Sequence, residues 1–270
     1  MDSVGPNYLG ISETEFNKCS ADNQCPCTRF RNGPFFQYRV TGINCSVTSG
    51  TKSGMHAAVV ARENSTDLSL IEETSISGYS SETSGSVLCN WYGNISFVSI
   101  NESNCKTKSN VGYVILNDAS GTSNIKFCQF ISNEADYRCY WHGYSQHFIH
   151  CSNYINSSYS SKPTTYPEIF YLKYESSLLS ISNSVLKENS GKILLYTYDS
   201  NTKIITDKCF IDNPNIEMTT SGNGEIQLNN NNIISLCILV KIKYKTILQN
   251  KYCKSNSYDN LYFILFLSKS

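Results

Sequence analysis

Charged side chains are scarce in this sequence. Asp, Glu, Lys and Arg together make up 16% of its 270 residues, and the formal net charge is zero. Proteins that bind nucleic acid carry a basic face that neutralises phosphates. The sequence therefore predicts no nucleic-acid partner.

Long apolar runs are also missing. Two uncharged stretches near the C-terminus, Ile233 to Val240 and Leu261 to Leu267, hold eight and seven residues. A helix that spans a bilayer needs about 20 apolar residues. At the other end, Met1 to Pro6 lacks the positive charge and the apolar core of a signal peptide. We therefore expect neither a complete transmembrane helix nor a signal peptide in this chain.

A third absence is the amphipathic helix, which needs about 10–12 residues with apolar positions at 3.6-residue spacing. No segment shows that pattern. Instead, short runs of Ile, Val, Phe and Tyr alternate with Gly, Ser, Asn and Asp, as strands alternate with turns. Aromatic residues make up 12% of the chain, which is too many for a disordered protein. The sequence predicts an all-β domain.

What the chain does contain is a repeat. A short apolar run that passes through a small residue and stops at Asn recurs five times. The final residues of these runs are Asn104, Asn133, Asn156, Asn189 and Asn213, at spacings of 29, 23, 33 and 24 residues. A period of about 20–50 residues is typical of solenoids, propellers and arrays.

Each repeat also holds a second apolar run, such as Lys192 to Tyr198. Two or three short strands per repeat are too few for a propeller blade, and a helical solenoid is excluded by the missing helices. One turn of a parallel β-helix fits both the length and the number of strands. The sequence thus predicts a parallel β-helix solenoid of about seven coils.

The predicted domains are an N-terminal cap at residues 1–35, the β-helix at 36–228 and a C-terminal segment at 229–270. The cap contains Cys19, Cys25 and Cys27. We expect these cysteines to be free or paired rather than metal-bound, because they lack a Cys-x2-Cys pair. Three interpretations of the C-terminal segment stay open: the last coils and their cap, a degenerate membrane anchor, and sequence that was not selected to fold.

A set of small residues suggests the register of the coils. Stacked coils place equivalent side chains about 4.8 Å apart, so an inward stack must be small or apolar. The terminal Asn residues are predicted to lie in turns, where Asn tolerates left-handed dihedral angles. The predicted lumen residues are Ser99, Cys128, Cys151 and Ser184, each five residues before a terminal Asn, and Cys209, four before Asn213.

Candidates for chemistry are few. Histidine and cysteine, which bind zinc when they converge, crowd together at Cys139, His142, His147, His150 and Cys151. In a strand, however, His150 and Cys151 point to opposite faces. We expect no metal site and no cofactor, and no motif of a nucleophile or a phosphate loop identifies catalytic residues.

Tyrosines offer the better functional clue, because they recur in the second run of successive coils. If they face outward, stacking of the coils builds an aromatic stripe suited to binding, since a phenol combines apolar area with a polar tip. If they face inward, they are core residues. Both interpretations stand for Tyr113, Tyr140, Tyr171 and Tyr196.

The repeated strand–Asn units resemble those of right-handed parallel β-helix proteins, the pectin-lyase-like superfold. In the composition of its coils the chain is most similar to uncharacterised β-helix surface proteins of parasitic protists, whose coils are rich in Asn, Ser and Cys. The resemblance covers about residues 12–228. The segments that carry it are Thr14 to Asn23, Ile125 to Asn133, Phe148 to Asn156 and Ile204 to Asn213.

This resemblance implies a right-handed solenoid and a protein that is secreted or displayed at a cell surface. Catalytic members of the superfold present several Asp on one outer strand face with Arg or Lys nearby, a group this sequence lacks. Our hypothesis is a non-catalytic scaffold for surface binding or adhesion, with a glycan or a host or cell-surface protein as partner. The alternative is a carbohydrate-active β-helix enzyme, a polysaccharide lyase or a glycoside hydrolase.

Overall fold

The computed structural model describes residues 7–22, 25–48, 54–81, 85–108, 110–116, 121–159, 168–212, 217–220 and 223–231. These residues form strands and turns and contain no helix, so the prediction of an all-β fold is confirmed. Asn213 and nearly all of the C-terminal segment lie outside the described residues.

Four parallel sheets run along the molecule, and the chain visits them in turn. The first sheet holds nine strands: Leu9–Ser12, Phe35–Tyr38, Leu68–Glu72, Asn94–Val98, Thr122–Lys126, Gln146–His150, Leu178–Ser182, Lys203–Asp207 and Glu225–Asn229. The second sheet holds eight strands: Glu15–Asn17, Thr41–Ile43, Ser75–Ser77, Asn101–Ser103, Gln129–Ile131, Asn153–Ile155, Val185–Lys187 and Phe210–Asp212.

The other two sheets complete each coil. The third sheet consists of six strands of two residues: Ser20–Ala21, Ser46–Val47, Ser80–Ser81, Lys106–Thr107, Glu134–Ala135 and Ser158–Tyr159. The fourth sheet holds eight strands: Thr28–Arg31, Gly54–Val60, Ser86–Trp91, Asn110–Leu116, Arg138–Gly143, Glu168–Lys173, Ile193–Thr197 and Glu217–Thr220.

We number the coils by their strand in the first sheet, so that coil 1 begins at Leu9 and coil 8 at Lys203. Coils 2 to 8 fall within residues 36–228 apart from the first residue of coil 2, and the prediction of a parallel solenoid of about seven coils is confirmed. Residues 9–31, expected to form a cap, already form a coil whose strands pair in register with coil 2.

Side chains alternate between the lumen and the outer surface along the strands of the first sheet. In coil 4 the strand Asn94–Val98 buries Ile95 and Phe97 while its other residues are half-buried. Phe97 pairs with Ile125 of the next coil, which pairs with Ile149. Because the register of the first sheet is identical from coil to coil, each of its apolar residues stacks on its counterpart, and a continuous core fills the tube.

A left-handed residue separates the first sheet from the second in every coil. Its φ lies between 46° and 58°, and its N–H donates to a carbonyl of the next coil, as Cys151 N does to Ser182 O at 3.1 Å. Few of these residues are Asn and none is Gly, although a side chain in this conformation costs roughly 1–2 kcal/mol. In coils 1 to 8 they are Glu13, Arg39, Glu73, Ser99, Phe127, Cys151, Asn183 and Lys208.

This turn corrects the predicted lumen residues. Ser99 and Cys151 are the left-handed residues themselves, and the residues after them face the lumen. Cys128, Ser184 and Cys209 do lie in the lumen. The sequence alignment was wrong by one residue in coils 4 and 6, because counting back from the terminal Asn assumes that every such Asn occupies the same place.

The terminal Asn residues in fact occupy two places. Asn104 and Asn156 are left-handed residues in the turn between the second and third sheets, with φ of 54° and 53°, as predicted from the sequence. Asn133 and Asn189 instead come one residue after that turn and are buried, so their assignment to a turn was wrong. Both side-chain amides are used inside the lumen, where they accept backbone N–H groups of neighbouring coils.

Candidate functional site

The four tyrosines of the predicted stripe divide between the two faces of the fourth sheet. Tyr113 and Tyr140 pair with each other and are fully buried in the lumen. Tyr171 and Tyr196 pair one position further along and point outward, where Trp141 continues their stack. Tyr140 pairs with Phe170, so Tyr171 lies one residue further along its strand and points to the opposite face.

Six rings on the outside of coils 5 to 7 form what we call the outer aromatic face. Its members are Trp141, Tyr144, Tyr171, Tyr174, Tyr196 and Tyr198.

The rings of the outer aromatic face support one another. The centroids of Tyr171 and Tyr196 are 5.7 Å apart in a stacked arrangement, and those of Tyr144 and Tyr174 are 3.6 Å apart with nearly parallel planes. Tyr144 and Tyr198 are 41% and 39% exposed. The face therefore combines rings held in place by packing with rings open to solvent, which limits the entropy lost on binding.

Cations border this face on both sides. The ammonium of Lys173 lies 5.1 Å from the ring centroid of Tyr174 and 5.3 Å from that of Tyr198, within cation–π range. The guanidinium of Arg138 lies 3.7 Å from the centroid of Tyr171. Arg138 is almost wholly buried with Glu168, with 3.3 Å between Nε and Oε2.

The Arg138–Glu168 ion pair is buried, whereas Lys173 is half-exposed. Burial raises the pKa of Glu168 to about 7, and the neighbouring Arg138 opposes part of that rise. Burial also raises the pKa of Tyr174 to about 12, so its phenol is neutral at physiological pH. The outer aromatic face thus places the ammonium of Lys173 beside the phenols of Tyr174 and Tyr198, while Arg138 is paired with Glu168.

The His and Cys residues that crowd together in the sequence belong to coils 5 and 6 and lie in three different environments. Cys139, His142 and His147 lie in the lumen, Cys151 lies in a turn, and His150 is half-buried with its Nδ1 2.9 Å from Ser182 Oγ. His147 donates through Nε2 to the carbonyl of Tyr144 at 2.7 Å and accepts the Ser123 hydroxyl at Nδ1 at 2.7 Å. Burial lowers the pKa of His147 to about 4, which keeps the ring neutral.

Glu102 is the lumen residue whose environment is least expected. It is fully buried, and neither carboxylate oxygen has a hydrogen bond of normal geometry to the described residues. Burial raises the pKa of Glu102 to about 8, against a smaller opposing effect of the Gly112 amide. Sequence reasoning missed Glu102, because it occupies a short strand of polar residues, Asn101–Ser103.

Two of the cap cysteines meet a third from the regular coils. The sulfur atoms of Cys19, Cys27 and Cys45 all lie within 4.8 Å of one another, and we call them the three-thiol cluster. Cys45 lies next to Cys19 in the adjacent coil, because each cysteine directly follows the left-handed residue between the second and third sheets. Cys25, which the sequence grouped with the cap cysteines, instead bonds within its own turn to Thr28.

A chain of hydrogen bonds leads to the three-thiol cluster. The Gln37 amide nitrogen is 2.8 Å from His56 Nε2 and 3.0 Å from Thr74 Oγ1. Since that nitrogen can only donate, His56 Nε2 must accept, and Nδ1 carries the proton. His56 Nδ1 then donates to the Tyr79 hydroxyl at 2.9 Å. The hydroxyl proton of Tyr79 is left to point at Cys27 Sγ, 3.1 Å away.

The sulfurs of the cluster differ in acidity. A hydrogen bond with Cys27 lowers the pKa of Cys45 to about 6, while the same contact raises the pKa of Cys27. Sequence reasoning missed this site because Cys45 lies outside the predicted cap.

The enzymatic alternative requires acidic residues grouped on one outer face, and Asp199 and Asp207 lie in separate turns. Asp199 follows the fourth sheet of coil 7 and accepts the backbone N–H of Tyr174 at 2.7 Å. Asp207 ends the strand of coil 8 in the first sheet and accepts a hydrogen bond from the Asn230 amide at 3.1 Å. The two carboxylates therefore serve different turns.

No protein-family model, curated protein or solved structure matches the chain. Within the described ranges, no helix is long and apolar enough to cross a membrane.

Proposed function

We propose that this chain is a non-catalytic β-solenoid scaffold that binds a protein partner through the outer aromatic face. The observation that carries the proposal is the outward row of Trp141, Tyr171 and Tyr196, in which Tyr171 is 2% exposed, with the 39% exposed ring of Tyr198 beside it. Trp and Tyr are the residue types enriched where proteins meet, because each buries a large area at little conformational cost.

The chemistry of the face favours a protein over a glycan as partner. The rings of Tyr171 and Tyr198 are tilted by 48° to each other, so they offer pockets and edges rather than one flat platform. Lys173 supplies an ammonium between two rings. A partner that places an apolar side chain among the phenols and a carboxylate near Lys173 satisfies both features.

The resemblance to pectin-lyase-like β-helices and to protist surface proteins adds two parts to the proposal. We infer that the coils wind to the right, as parallel crossover connections almost always do. We also infer that the protein works at a cell surface or in the extracellular space.

The test compares binding by the wild type, the double variant Y196A/Y198A and the control F36A. Phe36 is 39% exposed, like Tyr198, but lies on the first sheet. The ligands are an array of purified cell-surface and extracellular-matrix proteins and an array of glycans. We expect binding to at least one protein that the double variant weakens by about tenfold or more, as truncation of interface anchors does, and that F36A leaves unchanged.

Other outcomes would replace the proposal. Binding to glycans alone with the same dependence on Tyr196 and Tyr198 would make the partner a carbohydrate. Equal binding by all three chains would remove the face from the function. Turnover of acidic polysaccharides that is lost in D199N or D207N would establish the enzymatic alternative.

A further inference from the structure

The three-thiol cluster joins separate parts of the chain at the first end of the solenoid. In coil 1, Cys19 directly precedes the third-sheet strand and Cys27 directly precedes the fourth-sheet strand. Cys45 belongs to coil 2. Within the part of the chain that the structure describes, this is the one group of at least three His, Cys, Asp or Glu ligands close enough to share an ion.

We propose that Cys19, Cys27 and Cys45 bind one thiophilic closed-shell cation, Zn²⁺ or Cu⁺, that fastens coil 1 to coil 2.

The spacing of the sulfurs fits such an ion. Three sulfurs around a metal at about 2.3 Å lie about 4 Å from one another. The three sulfurs of the cluster are already within 4.8 Å, so movements of less than about an ångström, within reach of side-chain rotation, complete the set. Three thiolates without a carboxylate select soft or borderline metals over Mg²⁺ or Ca²⁺.

One of the three sulfurs, Cys27 Sγ, receives a hydrogen bond from outside the three-thiol cluster. The hydrogen-bond chain through Gln37 and His56 ends with the Tyr79 hydroxyl directed at Cys27 Sγ. Donors of this kind orient a thiolate ligand and stabilise its charge. Cys45 is buried whereas Cys19 and Cys27 are half-buried, so the site is enclosed on one side and reachable from the end of the solenoid.

The position of the site gives the ion a structural role. Leu9, Ile11 and Phe16 of coil 1 are only half-buried, whereas the equivalent residues of later coils are enclosed by neighbours on both sides. A terminal coil in a repeat protein has one neighbour and is the first to fray. A metal bound across coils 1 and 2 adds its binding free energy to the folding of that coil.

The principal experiment uses the reduced full-length chain and Co²⁺ as the probe. We expect about one Co²⁺ per chain, with sulfur-to-cobalt charge-transfer absorption in the near ultraviolet, and displacement by Zn²⁺ or Cu⁺. C19S and C45S should weaken binding by more than about 100-fold, and Y79F, which removes only the donor to Cys27, by about tenfold.

C105S is the matched control. Cys105 follows the second turn of coil 4 as Cys45 does in coil 2, and both thiols donate to the carbonyl two residues earlier at 3.4 Å. C105S should bind Co²⁺ like the wild type. A wild type that binds no thiophilic ion, or a C45S chain that binds as well as the wild type, would overturn the proposal.

A second measurement does not depend on the folding of any variant. In the wild type, Zn²⁺ should slow alkylation of Cys19, Cys27 and Cys45 by about tenfold or more, the effect expected of a tight ligand at saturation, and leave Cys151 unchanged. Equal rates with and without Zn²⁺ and Cu⁺ would contradict the proposal. So would a Cys19–Cys45 disulfide in a chain that binds no ion after reduction.

Discussion

The hydroxyl of Ser152 accepts the backbone N–H of Cys128 at 3.2 Å, from the equivalent position one coil further along. The lumen neighbour of Cys128 is therefore Ser152, and Cys151 occupies the turn beside it. Adjacent residues in one coil thus have opposite environments, and this difference can be measured.

Alkylation of the native protein should separate Cys128 from Cys151. Burial raises the pKa of Cys128 to about 12 and hides its sulfur, whereas Cys151 is half-buried in an outer turn. Since the thiolate is the nucleophile, Cys151 should react at least about tenfold faster than Cys128. Mass spectrometry of peptides after timed treatment with iodoacetamide measures both rates. Equal protection would mean that Cys151 faces the lumen.

Replacement of Cys128 by Ser should be nearly as well tolerated as replacement by Ala. The Cys128 thiol lies 3.3 Å from the carbonyl of Lys126, two residues earlier, and Ser184 donates to its own equivalent carbonyl at 2.8 Å. A serine at 128 finds the same acceptor, so we expect a cost of about 1 kcal/mol or less. Shifts in the urea midpoint, followed by circular dichroism, measure this cost.

Cys139 provides the contrast for that substitution. It is buried within a strand, and its sulfur is 3.7 Å from the Ser158 carbonyl, too far for a hydroxyl bond. C139S should cost about 1–3 kcal/mol, because the new hydroxyl is buried without a partner. A larger loss in C128S than in C139S would contradict the role given to the carbonyl two residues earlier.

Asn189 and Asn156 should respond differently to substitution although the sequence repeat treats them alike. Asn189 accepts the Ser157 N–H at 2.9 Å and donates to the Tyr154 carbonyl at 3.0 Å, both in the preceding coil. N189A should cost about 1–3 kcal/mol for each buried backbone group left unpaired. N156G should change stability by less than about 1 kcal/mol, since glycine suits a φ of 53°. Urea denaturation followed by circular dichroism measures both losses of stability. Equal losses in N189A and N156G would contradict the assignment of Asn189 and Asn156 to different positions.

Glu102 should make the protein less stable as the pH rises. Its pKa is raised from 4.5 to about 8 in the folded state. Between these values the unfolded chain releases a proton that the folded chain retains, so the free energy of unfolding falls with increasing pH. At about 1.4 kcal/mol per unit, the effect amounts to roughly 4 kcal/mol by pH 8. The difference between the wild type and E102Q in thermal unfolding at pH 5 and pH 8 measures it.

E102Q should remove this contribution and stabilise the protein at pH 8 more than at pH 5. The remaining pH dependence comes from Glu168, whose pKa burial raises to about 7, and, with the opposite sign, from His56 and His147, whose pKa values burial lowers to about 3 and about 4. E15Q serves as the control, because Glu15 is exposed on the second sheet. If E102Q and the wild type show parallel pH curves, Glu102 does not hold its proton in the folded state.

The repeat spacing was sufficient to predict the solenoid, because stacked coils must recur at the length of one turn. The local register was harder to obtain. Left-handed turns here accept Phe127 and Lys208 as readily as Asn, so no residue type marks them. The bulge before Tyr113 likewise reverses the inward and outward assignment of every residue counted across it.

The candidate sites depend on contacts that sequence distance hides. The three-thiol cluster needs Cys45 to stack on Cys19, 26 residues earlier, which only the register of coils 1 and 2 establishes. The outer aromatic face needs Tyr171 and Tyr196 to be separated from Tyr113 and Tyr140. In both cases the residue types are compatible with a site, but only the register of the strands brings them together.

The third sheet has its last strand at Ser158–Tyr159, and coil 7 continues it only through an isolated bridge between Ser158 and Ser190. Coils 1 to 6 thus carry a strand on each of four sides, whereas coil 7 carries strands on three sides and a single bridge on the fourth. Duplication or loss of a whole coil within coils 1 to 6 therefore preserves four paired sides. An exchange that places coil 7 between two four-stranded coils would leave their third-sheet strands with one bridge as their partner.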